Sequence, residues 1–232
     1  MSATEQRPLG RRLAWLWREW VRPLLAVVIV LGSLRSAIAD WNDVPSGSMK
    51  PTILEGDRVF VNKLAYDLKV PFTTYRISEW SDPRRGDVVV LFSPHDGKRL
   101  IKRVIGVPGD RIEMKKHRLV VNGVAAHYEP LATAVLPDAD EPGAAFVETT
   151  GARAHPILTT PRRPSMASFE TVVVPPGRYI VMGDNRDQSF DSRWFGFVER
   201  SRILGRATAV VLSLDINNGF RPRWDRFFMR LE

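Results

Sequence analysis

The sequence contains no cysteine and only four histidines. The first absence excludes disulfide bonds and thiolate zinc sites. The second matters because His95, His117, His127 and His155 all lie away from the motifs below and read as surface or insertion residues. No His or Cys cluster has ligand spacing, so neither metal nor any other cofactor is expected. Long hydrophobic runs are scarce as well. "PLLAVVIVLGSL", Pro23 to Leu34, is uncharged, and Arg35 interrupts it before "SAIA". Positive charge is plentiful: 34 Lys and Arg stand against 26 Asp and Glu, a formal net charge of +8. A basic chain can face nucleic acid or an anionic membrane. Arg7, Arg11, Arg12, Arg18 and Arg22 all precede the apolar run, which favours the membrane, and no nucleic-acid partner is expected.

Pro23 to Ala39 just reaches the roughly 17 residues a transmembrane helix needs, provided Arg35 extends to the far headgroups. Trp15, Trp17 and Trp20 suit the near interface and Trp41 the far one. The arginines predict a cytoplasmic N-terminal side. The expected organisation is a cytoplasmic basic segment 1–22, a single-pass anchor 23–39 in the cell membrane, and an extracytoplasmic domain 40–232. A cleavable signal peptide competes with this, because "AIA" at 37–39 has the small-x-small form of a cleavage site. Arg35 between the apolar run and that site favours the anchor. A buried core helix is the third reading.

The exported part reads as mainly β. "DRVFVNKL" (57–64), "GDVVVLF" (86–92), "RLIKRVIGV" (99–107), "RIEMKKHRLVVNG" (111–123), "TVVVPPGRYIVMGD" (171–184) and "GRATAVVLSLD" (205–215) alternate as strands do. Gly-Asp, Asn-Gly and Pro-Pro-Gly mark turns. Residues 128–170, with "LPDADEPGAA" and "TTPRRPS", read as an irregular insertion with little regular structure. The tail "RPRWDRFFMRLE" reads as a capping segment or short helix on the β domain.

"DVPSGSMKPT", residues 43–52, is placed to expose a serine hydroxyl. A serine needs a base, and without a nearby histidine the base must be a lysine. Free lysine titrates near 10.4, and neutrality at about pH 8 requires a loss of roughly two units, about 3 kcal/mol. Burial can supply that. Lys50 lies in an exposed loop. Lys63 follows Val59 and Val61 on one strand face. Lys102 shares a face with Leu100 and Val104, while Ile101, Arg103 and Ile105 take the other. The pattern leaves Lys63 and Lys102 both open. A third cluster, "GDNRDQSFDSRWFGFV" (183–198), offers Asp184, Asn185, Asp187 and Asp191 as oxygens for calcium, but Arg186 and Arg193 are interleaved, so it reads as paired charges stiffening a turn.

Together these segments resemble the type I signal peptidases, membrane-anchored serine proteases that remove signal peptides from exported proteins. "PSGSMKPT" resembles the nucleophile box, "RGDVVVLF" and "KRLIKRVIGVPGD" the lysine boxes, and "GDNRDQSFDSR" the last box. The resemblance spans Pro45 to Arg193, in order, after an apolar segment. It implies an antiparallel β catalytic core with a reduced inserted β subdomain, and signal-peptide-bearing preproteins and the bilayer as partners. It makes Ser48 the nucleophile and Lys102 the general base, with the Ser48 N–H and the Ser46 hydroxyl as oxyanion hole. It has Ser189 hold the Lys102 amine, and Asp191 with Arg193 and Arg103 with Asp184 act as supporting ion pairs. Val44, Pro45, Met49, Ile53, Leu100 and Ile101 would line shallow pockets for small side chains, giving an Ala-x-Ala preference. Serines two apart in extended chain face the same way, which suits the pairing of Ser46 with Ser48. Two rivals stand beside this. A self-cleaving Ser-Lys protease fused to a repressor would need a helix-turn-helix, and none is visible. A catalytically inactive, membrane-tethered β binding module would be expected to lose Ser48, Lys102 or Ser189, and all three are present.

Overall fold

The computed structural model describes residues 9–73, 75–131, 143–160 and 163–231. Arg7, most of "LPDADEPGAA" and part of "TTPRRPS" lie outside them.

The N-terminal segment is helical throughout its described length: α1 (Leu9–Leu16), a π-helical turn (Trp17–Val21) and α2 (Arg22–Ala37) follow one another without a break. Ala14–Ala37 is 24 residues long and contains an 18-residue window with a mean hydropathy of 1.5 and almost no burial, enough by length and composition to cross a membrane. That exposure removes the core-helix reading. The helix stops at Ala37, two residues before the expected end, for a visible reason. The last carbonyls of a helix lack intrahelical donors. Here the Lys63 amine donates to the Ser36 carbonyl at 3.0 Å, and the Lys63 backbone N–H to that of Ile38 at 3.0 Å. Asp40 then meets Arg35, Lys63 and Arg99 at 3.2, 3.4 and 3.5 Å, fastening the helix end to the β domain.

Strand β1 (Ala39–Asp43) starts at once and pairs antiparallel with β2 (Asp57–Asn62). A two-stranded hairpin follows, β3 (Asp67–Lys69) with β4 (Arg76–Glu79). Next come β5 (Val88–Phe92) and β6 (Arg99–Gly106). The hairpin β7 (Arg111–Lys115) and β8 (Arg118–Val121) leads to the short β9 (Val124–Ala125). The insertion contributes β10 (His127–Pro130), β11 (Ala144–Thr150) and β12 (Arg153–Thr159). The chain returns through β13 (Phe169–Val173), β14 (Arg178–Met182), the one-turn α3 (Ser192–Phe195) and β15 (Val198–Glu199). The long β16 (Ile203–Asp215) is then edged by β17 (Arg221–Pro222) and β18 (Met229–Arg230).

The main sheet runs β1-β2-β16-β5-β6-β14-β15, with β17 and β18 also pairing β16. Among the described residues every pair of strands is antiparallel, as expected. β16 bridges β2 and β5, and its register shifts let one strand bend between them. Two predicted strands divide. Residues 111–123 turn back at Lys116 and His117, both at positive φ (48° and 63°). This is a tight hairpin turn without the usual Asn-Gly signature. Residues 171–184 break at Pro175-Pro176-Gly177, and the halves join different sheets. The largest correction concerns 128–170. Far from irregular, its described part forms a three-stranded sheet in the order β10-β11-β12. Its strands carry few large apolar residues because much of what they bury is polar: Glu148, Thr150 and His155 are all buried. The tail caps the main sheet through short strands, with Leu231 buried and Arg226 bonded to Asp57 at 2.6 Å.

Candidate active site

The segment expected to carry the nucleophile turns sharply. Gly47–Met49 form a 3-10 turn closed by the Lys50 N–H on the Gly47 carbonyl at 3.0 Å. The extended-chain argument for Ser46 and Ser48 therefore does not apply across Gly47. Ser46 is extended (φ −137°, ψ 150°) and exposed at the mouth of the turn, while Ser48 is half-buried inside it.

β6 crosses behind this turn. Its alternation holds: Leu100 and Val104 pack with Val89 and Leu91, whereas Ile101 packs against the cluster of Val44, Met49 and Ile53. Lys102 is 2% exposed, and its Nζ lies 2.6 Å from Ser48 Oγ. Burial pushes the amine down from its ordinary 10.5 to about 8, although Asp191 and Asp184 pull it back up. The two other candidate lysines are committed elsewhere. Lys50 pairs with Glu55 at 3.1 Å, and Lys63 serves the helix end.

The loop 183–193 closes the far side. Arg103 grips Asp184 with two bonds of 2.9 and 2.8 Å, and Thr52 also donates to Asp184. Arg193 grips Asp191 with two bonds of 2.8 Å. Asp191 also accepts the Gly183 N–H at 3.0 Å and caps α3. Burial alone would raise both carboxyls, but the paired guanidinium holds each below the usual carboxylate range. Asp187 accepts from the Thr160 N–H and from Ser165. The carboxylates offered for calcium, Asp184, Asp187 and Asp191, are thus taken by protein donors.

Of the expected residues, Ser48, Lys102, Ser189, Arg103, Asp184, Asp191 and Arg193 line one half-buried to buried site. Ser189 is buried over Gly183 and close to Asp191, but makes no hydrogen bond to Lys102. Val44, Met49, Ile53 and Ile101 form one apolar group beside Ser48. Pro45 is exposed, and Leu100, on the same side of β6 as Lys102, packs in a second apolar cluster with Val89 and Leu91. A cavity of about 480 Å³ lies elsewhere, lined by residues such as His117, Tyr128, Phe146 and Asp187 and not by Ser48 or Lys102. His155, expected at the surface or in the insertion, is in the insertion but buried, 3.4 Å from Glu148.

The pattern of the signal peptidase, peptidase S26 family matches residues 17–212. The chain belongs to that family. Signal peptidase I of Pseudomonas aeruginosa is 36% identical over 208 residues, covering 82% of this chain and 70% of that protein. Signal peptidase I of Bacillus licheniformis is 31% identical over 193 residues, covering 83% of this chain and 87% of its own. A crystal structure of a signal peptidase I from Enterococcus faecalis V583 shares 32% identity with a TM-score of 0.37, covering 55% of this chain and 98% of the other. Within this S26 peptidase chain, sequence reasoning passed over three well-tied residues. Arg186 binds the buried Glu148 of the insertion through two bonds of 2.7 and 2.6 Å. Asn185, read only as a calcium oxygen donor, instead reaches the nucleophile turn, its Nδ2 donating to the Gly47 carbonyl at 3.0 Å. Glu148 lies in the segment read as irregular, so its only signal was a lone carboxylate among small residues.

Proposed function

We propose that this chain is a signal peptidase I, an endopeptidase that removes N-terminal signal peptides from exported preproteins after small residues. The observation that carries this reading is the buried Lys102 amine 2.6 Å from Ser48 Oγ, with its pKa pushed down to about 8. A neutral Lys102 takes the Ser48 proton as Oγ attacks the scissile carbonyl. The oxyanion is met by the Ser48 N–H and the Ser46 hydroxyl. The Lys102 ammonium then gives its proton to the departing amine, leaving an acyl-enzyme on Ser48. The same amine, neutral again, activates a water that releases the acyl group. Substrate adds as an extended strand, and the Val44, Met49, Ile53 and Ile101 group takes small side chains at alternate positions.

The helix up to Ala37 remains attached as a single-pass membrane anchor, with its arginine-rich start in the cytoplasm and the domain from Asp40 onward outside. Supporting this, cleavage after Ala39 would cut within β1, next to Asp40, which ties the helix to the β domain. Cleavage of a preprotein carrying an Ala-x-Ala site, in detergent, tests the function. The wild type should cut after the second alanine, and Ser48→Ala and Lys102→Ala should not. Cutting by either variant would refute the assignment.

A further inference from the structure

Asn185 is 1% exposed and touches the nucleophile turn twice. Its Nδ2 donates to the Gly47 carbonyl at 3.0 Å, and its backbone N–H donates to the Ser48 carbonyl at 3.1 Å. These carbonyls belong to the two peptide units on either side of the Ser48 Cα. A trans peptide is planar, with its C=O and N–H pointing in opposite directions. Gripping the Gly47 oxygen therefore sets the direction of the Ser48 N–H, which shares its plane. Gripping the Ser48 oxygen sets the next plane. Together they fix φ and ψ at Ser48 and leave only χ1 to place Oγ against Lys102. The Lys50 N–H shares the Gly47 oxygen, but that bond only closes the turn on itself. Asn185 ties the turn to the rest of the protein.

The tie is anchored in its turn. The Leu158 N–H donates to the Asp184 carbonyl and the Arg186 N–H to the Leu158 carbonyl, both at 2.8 Å, so Asn185 sits in a bridge to β12 of the insertion. Its Oδ1 is buried without a hydrogen-bond partner. An orphaned buried oxygen is costly, and the side chain keeps the orientation that directs its amide hydrogens at Gly47.

We infer that Asn185 is a positioning residue for the oxyanion hole, acting through the Gly47–Ser48 peptide to aim the Ser48 N–H. This rests on the function proposed above. The test compares Asn185→Ala and the isosteric Asn185→Asp, which loses the donor, by steady-state cleavage of a preprotein in detergent and by thermal melting. Losing an oxyanion donor outright costs about 10² to 10³ in kcat. A misaimed donor should cost about 10 to 10², with KM within about twofold of wild type. In Asn185→Ala the acid limb of the pH–rate profile should stay in place, because Lys102 is untouched. Adding Ser46→Ala should lower kcat by less than the product of the two single effects, since both act on one oxyanion.

The inference is overturned if a folded variant keeps kcat within about twofold. A moved limb overturns it too, because Asn185 would then act through Lys102, and so does full multiplicativity with Ser46→Ala. Failure of both variants to fold would make Asn185 a stabilising residue and overturn it equally. Ser48→Ala is the control: if it still cleaves, the proposed function fails, independently of Asn185.

Discussion

Among the described residues two lysines are buried, Lys69 on β3 and Lys102 on β6, and their surroundings differ in kind. Burial pushes both amines downward. Lys69, however, is bonded directly to the Asp67 carboxylate, which also meets Arg200 at 2.9 Å and Arg76 at 3.3 Å. Its remaining reach goes to the Leu204 carbonyl at 3.2 Å. Lys102 also has carboxylates nearby, but Arg193 holds Asp191 and Arg103 holds Asp184, each through two bonds. What is left for Lys102 is a hydroxyl. Burial alone does not make a lysine a base. In the proposed mechanism the base is the lysine that no carboxylate bonds directly: Asp191 and Asp184 are bonded to arginines and not to Lys102, whereas Asp67 meets two arginines and still bonds Lys69.

The strongest way to break the comparison is to remove each lysine. Lys102→Ala should drop cleavage to background, as should Ser48→Ala, because members of one catalytic unit fail together. Lys69→Ala should leave turnover of the folded protein in the wild-type range. Equal losses in the two lysine variants, read by kcat on matched amounts of folded enzyme, would show that the interior environment and not the partner decides. Next in size, Ser46→Ala should cost about 10² to 10³ in kcat and Ser46→Thr less. Wild-type kcat in both would leave Ser46 without a role.

Stability should separate the lysines with opposite signs. Lys102 carries a shift equivalent to about 3 kcal/mol against its charged form. Its folded pKa is depressed, so the cost is fully present below about pH 8 and is relieved as pH rises from there to the ordinary 10.5, where only the unfolded state still binds the proton. Lys102→Met should therefore raise stability at pH 7 while abolishing cleavage. Lys69→Met should lower it, since it removes one partner of a buried carboxylate. Chemical denaturation of both variants checks this, and stabilisation by Lys69→Met would blur the distinction. The smallest effect sharpens it. Arg193→Gln frees Asp191 to act on Lys102, so the amine should rise and the acid limb of kcat/KM should move up by about one pH unit. An unmoved limb would mean that Arg193 does not protect the base.

Much of this contrast could be read in the sequence, and its limits have physical causes. The alternation of "RLIKRVIGV" was enough to put Lys102 inside, because a two-residue period fixes which side chains share a face. Choosing it over Lys63 was not possible from pattern, since Lys63 lies just past β2 in a 3-10 turn and its amine caps the helix end, a contact between residues 27 apart in sequence. The sheet in 128–170 stayed hidden because Glu148, His155 and Thr150 occupy buried positions where apolar residues give the usual signal. The turn at Gly47 was missed because a three-residue 3-10 turn leaves no periodicity to detect. Asn185 was invisible as a clamp for a similar reason: its partner Gly47 lies 138 residues away.

On the proposed mechanism Lys102 is neutral near the working pH because it is buried and faces a hydroxyl. The most direct measurement is a heteronuclear NMR titration of the Lys102 side chain in the detergent-solubilised protein, assigned by comparison with Lys102→Met. The midpoint should lie near pH 8 and match the acid limb of kcat/KM. A midpoint above about 10, the value of an ordinary lysine, would contradict it.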